Sequence, residues 1–304
     1  MTISLQKLRN SFEEAGYICD ENTALTVFLA LELQKPLLIE GAPGVGKTEM
    51  GKVLAEILES ELIRLQCYEG LDETKALYEW NYQRQLLRIQ LNRELGEEQI
   101  REEDLFSDRY LLERPLLKAI RSEKRAVLLI DEVDKCDPEF EAFLFEVLSD
   151  FQVSIPELGT IPANNIPVVV LTSNNERELS DGLKRRCLYL YLDFPEVDKE
   201  VQIIKAKVPG IADRLAWETA RVVAHLRRQA DLRKKPSIAE TLDWARALVS
   251  LNCNCLDGKT VAGTLNILLK TRADQQTFKQ EIGIDGIDKT LSQGGNGGEI
   301  CGCR

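Results

Sequence analysis

The chain has 304 residues, of which 39 are Lys or Arg and 50 are Asp or Glu, so its net charge at pH 7 is -11. This length allows a full hydrophobic core in one large and one small domain, and the acidic balance argues against a broad nucleic-acid or anionic-membrane surface. Its single histidine, His225, excludes a histidine-rich zinc site.

The N-terminal segment, residues 1–34, is predicted to form two helices separated by Gly16, since Leu5, Leu8 and Phe12 share one helical face. The residues up to Gly16 mix charged and polar side chains and lack the continuous apolar stretch of a signal peptide. No later apolar run approaches the length that crosses a bilayer. We therefore expect a cytoplasmic protein.

An apolar run at residues 37–39 ends in a glycine-rich loop, after which a helical pattern extends from Thr48 to Leu58. The loop satisfies the spacing Gly-x-x-x-x-Gly-Lys-[Ser/Thr] of a phosphate-binding loop. Its glycines let backbone N–H groups surround an anion, its lysine supplies charge for phosphates, and its threonine supplies a hydroxyl for Mg2+. The strand before and the helix after disfavour an ordinary glycine-rich turn. The predicted nucleotide-binding residues are Gly41, Ala42, Pro43, Gly44, Val45, Gly46, Lys47, Thr48 and Glu49.

Residues 62–67 alternate apolar and polar side chains, which predicts a second strand. The following stretch, residues 68–91, carries four large aromatic side chains: Tyr68, Tyr78, Trp80 and Tyr82. It is either an exposed functional loop or a helix packed on the core, and the usual packing role of aromatic residues favours the helix. The polar, acidic run at residues 93–109 is predicted to be a solvated insertion.

Residues 127–130 form an uninterrupted apolar run that is closed by Asp131 and Glu132. This is typical of a central parallel strand with carboxylates at its C-terminal end, where open α/β sheets bind ligands. We expect Asp131 to hold Mg2+ and Glu132 to orient an attacking water. Taken alone, the two acids would more simply cap the next helix, but the phosphate loop earlier in the chain favours the metal and base roles.

A helix is predicted at residues 138–149, followed by a β-hairpin within residues 151–166. The next buried strand, residues 167–172, ends in polar residues that include Asn174. Its place beside the other strand ends favours a contact with the γ-phosphate or its water over simple strand termination. A basic run, residues 184–186, comes before another strand, and basic residues at a helix end usually complement the helix dipole.

From Pro195 onward the pattern is helical without strands, which predicts a second and smaller domain. The end of the chain is rich in glycine. We therefore predict an α/β nucleotide-binding domain at residues 1–194, a helical lid domain at residues 195–282 and a flexible Gly-rich tail at residues 283–304.

The eight cysteines are scattered through a chain with an ample core, which predicts reduced thiols and no disulfide scaffold. They are Cys19, Cys67, Cys136, Cys187, Cys253, Cys255, Cys301 and Cys303. The last four form two Cys-x-Cys pairs, which differ from the Cys-x-x-Cys spacing of zinc knuckles and indicate a metal site only weakly.

The phosphate loop, the run from Leu128 to Glu132, the hairpin, residues 172–175 and the arginine pair before a helical lid follow one another in this order. The order resembles that of AAA+ ATPases of the MoxR branch, over roughly residues 10–280. The resemblance implies an α/β fold, namely a P-loop AAA+ core with a parallel sheet and helices on both faces, followed by a smaller all-α lid domain.

The resemblance also assigns roles to single residues. Lys47 and Thr48 would belong to the Walker A motif, Asp131 and Glu132 to the Walker B motif, and Asn174 would be sensor 1. Arg186, with Arg185 as its competitor, would be an arginine finger that acts on the nucleotide of the neighbouring subunit. One departure concerns sensor 2, because Ala239 stands where relatives often carry arginine, and Lys235 or Arg246 are candidate substitutes.

The resemblance implies an ATPase that binds ATP and Mg2+ and hydrolyses ATP to ADP and phosphate. It would act as a ring, most simply a hexamer, in chaperone-like remodelling, maturation or metal-cofactor activation of a client protein, together with a von Willebrand factor A-domain protein. Residues 68–82 are the candidate client contact.

Other functions stay open. The chain could be a nucleotide-gated protein-binding module whose hydrolysis is slow or incidental. A DNA-acting AAA+ motor shares the core but is disfavoured by the acidic balance and the absence of an appended DNA-binding motif. GTP could replace ATP, since this core contacts the phosphates far more than the base.

Overall fold

The computed structural model describes residues 3–95, 101–229 and 231–292. These residues form two compact units, the first comprising residues 3–11, 19–41 and 47–191, and the second comprising residues 12–18, 42–46 and 192–292. Each unit has its own hydrophobic core. Within the described ranges, no helix is both long and apolar enough to cross a membrane.

The strands are β1 (Leu37–Gly41), β2 (Leu62–Gln66), β3 (Tyr78–Trp80), β4 (Leu111–Glu113), β5 (Val127–Asp131), β6 (Gln152–Ile155), β7 (Gly159–Pro162), β8 (Val168–Ser173) and β9 (Leu188–Leu192). The helices up to residue 186 are α1 (Leu5–Glu14), α2 (Glu21–Glu32), α3 (Lys47–Ile57), α4 (Glu73–Ala76), α5 (Tyr82–Leu95), α6 (Glu102–Leu105), α7 (Pro115–Arg121), α8 (Pro138–Ser149) and α9 (Asp181–Arg186). The remaining helices are α10 (Val197–Lys207), α11 (Asp213–Gln229), α12 (Ile238–Ser250), α13 (Gly258–Leu268), α14 (Arg272–Glu281) and α15 (Gly283–Ser292).

The first unit is built on a five-stranded sheet in the order β2-β5-β8-β1-β9. The pairs β2–β5, β5–β8 and β8–β1 are parallel. Every residue of β1, β5 and β8 is buried, as expected for central parallel strands that are covered on both faces. Because β8 lies between β1 and β5, the C-terminal ends of β1 and β5 are at the same edge of the sheet with one strand between them.

Helices cover both faces of this sheet. Side chains alternate along each strand, so each face carries buried side chains that pack against a helical layer. Leu129 of β5 faces α3 so closely that a Cβ added to Gly51 would lie 3.0 Å from its Cδ1. Leu128 and Ile130 face the other way and share a core with the apolar residues of α7 and α8. The predicted α/β fold with a parallel sheet between helical layers is confirmed.

Two small antiparallel sheets accompany the central one. The first, β6–β7, is the predicted hairpin, with Ser154 opposite Thr160. The second pairs β3, which lies in the aromatic stretch, with β4, and Trp80 of β3 is buried edge-on against Phe106 with ring centroids 5.2 Å apart. Tyr68 and Tyr82 in the same stretch are exposed. Neither interpretation of residues 68–91 therefore describes the whole segment, which combines α4, β3 and most of α5 with exposed and buried aromatic residues.

From α10 onward the second unit is helical, as predicted for the C-terminal region. Trp244 and Phe278 are fully buried in its main core. A buried ion pair crosses this unit, with the Arg227 guanidinium donating to both Glu200 carboxylate oxygens at 2.7 and 2.9 Å. Thr241 also donates to Glu200, at 3.0 Å, so the buried carboxylate is satisfied by a charged and a neutral donor.

Two expectations for the C-terminal region are wrong. Residues 283–292, predicted to begin a flexible tail, form α15, because Ile284, Ile287 and Leu291 recur at helical spacing and Ile287 is fully buried. The rest of the predicted tail, residues 293–304, lies outside the described residues together with Cys301 and Cys303.

The second correction concerns oxidation state. Cys253 and Cys255 are disulfide-bonded, whereas Cys19, Cys67, Cys136 and Cys187 are not part of a disulfide. The expectation of reduced cysteines throughout therefore fails for one Cys-x-Cys pair. Pairing depends on which residues the fold brings within bonding distance, and sequence spacing alone does not give that information.

Candidate functional site

Lys47, Thr48 and the predicted residues at the ends of β5 and β8 meet at the C-terminal edge of the sheet, as expected where parallel strands end together. Lys47, the first residue of α3, donates through Nζ to the Gly41 carbonyl at 2.6 Å and to Asn174 Oδ1 at 2.8 Å. Thr48 Oγ1 donates to Asp131 Oδ1 at 2.9 Å. Residues that are more than 80 positions apart in the sequence are thus joined by direct hydrogen bonds.

The loop between β1 and α3 has a backbone that requires glycine. Gly44 and Gly46 have φ values of +75° and +100°, in the left-handed region that side chains disfavour. Space is also restricted within the second unit, because a Cβ on Gly44 would lie 2.5 Å from Ser237 Cβ. Such a backbone turns N–H groups toward a bound anion, and α3 begins directly after the loop with its unpaired N–H groups.

Lys47 is a cation in an unusually dry position, with only 6% of its surface exposed. Burial lowers its pKa below the usual 10.5, and the negative charges of Asp134, Asp131 and Glu132 partly oppose that shift. A lysine that is held by acids and lies at a helix start is well placed to bind a phosphate group.

Asp131 is held by three different segments. Its Oδ1 accepts hydrogen bonds from Thr48 Oγ1 at 2.9 Å and from Thr172 Oγ1 at 2.5 Å. Its Oδ2 forms an ion pair with the Arg64 guanidinium of β2. The carboxylate is therefore fixed in the sheet edge beside the Thr48 hydroxyl, with which it was predicted to hold Mg2+.

Glu132 has a left-handed backbone, with φ of +59°, which is uncommon for a residue with a side chain. The Thr172 hydroxyl supports this turn by accepting the Glu132 N–H at 2.9 Å. The Glu132 Oε2 atom accepts from Gln66 Nε2 at 2.9 Å and from Lys135 Nζ at 2.8 Å. Oε1 accepts a longer bond of 3.4 Å from Asn174 Nδ2, so the expected base is held by three side chains.

Asn174 connects the lysine and the glutamate, because its amide oxygen accepts from Lys47 and its amide nitrogen donates to Glu132. Its own position is fixed by Asp134, whose Oδ2 accepts the backbone N–H groups of Asn174 at 3.0 Å and of Glu176 at 2.9 Å. Asp134 is buried, and its Oδ1 has no hydrogen-bond partner. The turn after β5 thereby holds the end of β8.

Five residues of this cluster were not predicted as site residues: Arg64, Gln66, Asp134, Lys135 and Thr172. The sequence does contain a signal for Asp134, since this acid lies two positions after Glu132 in the run Asp-Glu-Val-Asp. The roles of Arg64 and Gln66 depend on β2 lying beside β5, and no pattern within the sequence shows that adjacency.

The two candidate finger residues differ in their surroundings. Arg186 donates to Ser149 Oγ at 2.5 Å and to the Gly182 carbonyl at 2.9 Å, and its guanidinium lies 4.3 Å from the Phe145 ring centroid. Arg185 is exposed. The hydrogen bonds and ring contact recorded for Arg186 lie within α8 and α9, so the structure does not bring it to the Lys47 cluster.

In the second unit, Ala239 and Lys235 are exposed near the start of α12. Arg246, the other candidate for the sensor 2 role, lies two turns further along this helix and forms an ion pair with Asp243 at 3.0 Å.

The donor set fits the groups that the phosphate loop implies. Thr48 and Asp131 offer hydroxyl and carboxylate oxygens, the ligand type that Mg2+ prefers. Among the described residues, no group of three or more His, Cys, Asp or Glu side chains is arranged to hold a metal. Proteins commonly bind Mg2+ through one or two carboxylates together with the phosphates of the substrate.

The chain is similar to several known proteins. The chain is 23% identical over 273 residues to the gas vesicle ATPase GvpN1 of Halobacterium salinarum, covering 86% of this chain and 77% of that protein. It is 25% identical over 276 residues to an uncharacterized protein of Staphylococcus aureus (strain bovine RF122 / ET3-1), covering 86% and 95%. Among solved structures, the Thermotoga maritima RuvB Holliday junction branch migration motor shares the fold, with a TM-score of 0.50, 18% identity, and coverage of 87% and 77%.

The family described as "AAA domain (dynein-related subfamily)" matches residues 36–187, which include four of the five strands of the central sheet and all the site residues of the first unit described above. That range is half of the chain, and it begins just before the phosphate loop and ends just after the arginine pair. The chain therefore belongs to the AAA domain (dynein-related subfamily) family of AAA+ ATPases.

Proposed function

We propose that the chain binds ATP with Mg2+ and hydrolyses it to ADP and phosphate, and that it uses this cycle to remodel or mature a client protein. The observation that carries the proposal is the single hydrogen-bonded cluster in which Lys47, Thr48, Asp131, Glu132 and Asn174 meet at the sheet edge. These residues share no other evident purpose. The family match and the ATPase name of the GvpN1 relative support the same chemistry.

Each residue would have a separate task. Lys47 binds the β- and γ-phosphates, and the backbone N–H groups of the loop surround them. Thr48 and Asp131 would hold Mg2+, which supplies positive charge to the phosphate oxygens when it is bound. Glu132 orients a water for attack on the γ-phosphorus and accepts its proton, while Asn174 positions that water.

Two substitutions test this mechanism. Glu132→Gln removes the proton acceptor but keeps the side-chain shape, so ATP binding is expected to persist while phosphate release falls by at least about a hundredfold. Lys47→Ala removes the phosphate cation, so calorimetry should show weaker ATP binding. Equal phosphate release by Glu132→Gln and the unchanged protein would reject the base, and unaltered ATP affinity in Lys47→Ala would reject the phosphate site.

We further propose that the active form is a ring, most simply a hexamer, in which an arginine of α9 reaches the neighbouring subunit's nucleotide. Arg185 is exposed, whereas Arg186 would have to leave Ser149, Gly182 and the Phe145 ring. Mixing Glu132→Gln subunits with Arg185→Ala or with Arg186→Ala subunits separates the two candidates. The variant that lacks the finger is inactive alone and regains hydrolysis on mixing. Its intact Glu132 then lies in a site that receives the arginine of a neighbouring Glu132→Gln subunit.

A second candidate function is a nucleotide-gated binding module with slow hydrolysis, and one observation favours it. Glu132 is held by Gln66, Lys135 and Asn174, so the base must leave these partners before it can activate water. Phosphate release should therefore be slow in the isolated chain. If a client accelerates it, remodelling is favoured, whereas release that stays slow while ATP promotes partner binding favours the gated module.

The client and the branch of the family belong to the proposal as well. Placement in the MoxR branch would make a von Willebrand factor A-domain protein the expected partner. Co-purification of the Glu132→Gln variant from its native host, with and without ATP, tests both points, since an ATP-locked ring retains its partners. Recovery of nucleic acid in place of protein would favour a DNA-acting motor.

A further inference from the structure

Arg64 forms an ion pair with one of the acids of the site. Strand β2 lies beside β5, with Arg64 opposite Leu129 and Gln66 opposite Asp131. The neighbours Ile63 and Leu65 point into the core, so Arg64 and Gln66 point to the other side. There the Arg64 side chain, 48% exposed, forms an ion pair with the Asp131 carboxylate, which is only 3% exposed.

This ion pair has an electrostatic reason. A carboxylate that is removed from water is costly unless donors and a counter-charge compensate it. Thr48 and Thr172 provide neutral donors to Asp131 Oδ1, and Arg64 brings a full positive charge to Oδ2. Arg64 therefore already occupies the carboxylate that the proposed function assigns to Mg2+.

The same guanidinium is also connected to Glu132. Arg64 donates to Gln66 Oε1 at 2.5 Å, and Gln66 Nε2 donates to Glu132 Oε2 at 2.9 Å. An amide whose oxygen is held by a guanidinium must turn its nitrogen the other way. Arg64 thus sets the orientation in which Gln66 holds Glu132.

We propose that Arg64 is the resident counter-ion of Asp131, and that it must leave this carboxylate when a divalent cation binds. The inference rests on the proposed nucleotide site. Two cations on one carboxylate repel each other, so a divalent cation and Arg64 compete for Asp131. Departure of Arg64 also releases the Gln66 oxygen, which links metal arrival at Asp131 to the freeing of Glu132.

Nucleotide binding measured with and without metal tests the inference independently of hydrolysis. The probe is a fluorescent, non-hydrolysable ATP analogue, whose dissociation constant is determined in excess EDTA and in excess Mg2+. In Arg64→Gln the acids lose their counter-ion, so the metal-free triphosphate is repelled more strongly. In Arg64→Gln, Mg2+ no longer competes with a guanidinium. The dissociation constant in EDTA divided by that in Mg2+ should therefore rise by about tenfold, a conservative figure for one lost ion-pair charge.

Two control variants accompany the measurement. Arg64→Lys keeps the charge and should return the ratio to within about threefold of the unchanged protein, although lysine lacks the planar fork. Arg114→Gln removes a guanidinium of similar exposure, 42%, whose ion pair is with Glu79 and not with an acid of the site. Its ratio should equal that of the unchanged protein.

A merely structural role for Arg64 predicts a different result. Partial unfolding would raise both dissociation constants by the same factor and leave their ratio unchanged. An unchanged ratio in Arg64→Gln, with Mg2+-dependent binding by the unchanged protein, would overturn the inference and leave the proposed function intact. Absence of nucleotide binding by the unchanged protein in both conditions would reject the proposed function, and the inference with it.

Discussion

Removal of the Asp134 carboxylate should separate the structural from the chemical part of the site. Asp134 Oδ2 accepts two backbone N–H groups, those of Asn174 and Glu176. In Asp134→Asn both bonds can persist but lose their charge assistance, at a cost of about 1 kcal/mol each. In Asp134→Ala both N–H groups lose their acceptor, but Glu176 is exposed, so water can replace part of the loss and we expect about 2–3 kcal/mol in total.

The assay has two parts. A loss of 2–3 kcal/mol in a unit of this size should lower the melting temperature of Asp134→Ala by roughly 4–12 °C in differential scanning fluorimetry. Displacement of Asn174 should also reduce phosphate release by roughly tenfold to a hundredfold, since small misplacements of positioning groups are costly. The control is Asp137→Asn, which changes an exposed acid three residues away that makes no side-chain cap bond. If Asp134→Ala has the same melting temperature and the same rate of phosphate release as Asp137→Asn, the reasoning is refuted.

Two further predictions concern buried charge. Because burial lowers the pKa of Lys47 below 10.5, ATP binding should be lost as the pH rises through that lower pKa. Asp134→Asn removes a negative charge that raises the pKa of Lys47, so this variant should lose ATP binding at a still lower pH. Fluorescence titration over the alkaline range measures both effects, and a midpoint at or above pH 10.5 in the unchanged protein would contradict the first. In the second unit, Glu200→Gln leaves the buried Arg227 without its counter-charge and should destabilise by about 3–5 kcal/mol in urea unfolding, whereas Glu200→Met combined with Arg227→Met should recover much of the loss. If Glu200→Gln alone is as stable as the unchanged protein, the ion pair between Glu200 and Arg227 is not desolvated.

The sequence allowed the site to be predicted where its chemistry depends on fixed spacing. The glycines and Lys47 lie within one loop, and Asp131 follows directly after an apolar strand, so local pattern was sufficient. Asn174 was placed by a similar argument, because strand ends of a parallel sheet share an edge. The assigned roles of these residues stay predictions until nucleotide binding is measured.

The residues that were missed depend on tertiary neighbours. Arg64 and Gln66 looked like the exposed positions of an alternating strand, and only the pairing of β2 with β5 brings them to the acids. The helix α15 was missed because Gly283 and Gly286 are unfavourable in a helix, whereas burial of Ile287 in the second core stabilises it. In both cases long-range packing decided the outcome, and no short window of sequence contains that information.

The strand order has a consequence for how the protein matures during synthesis. Strand β8 is made after β1 and β5, yet it lies between them. A nascent chain that has left the ribosome only as far as Glu132 therefore carries both the lysine and the carboxylates but has no scaffold to bring them together. Competence to bind nucleotide should appear abruptly once residues 168–173 insert, and truncated chains that end before this strand should be inert.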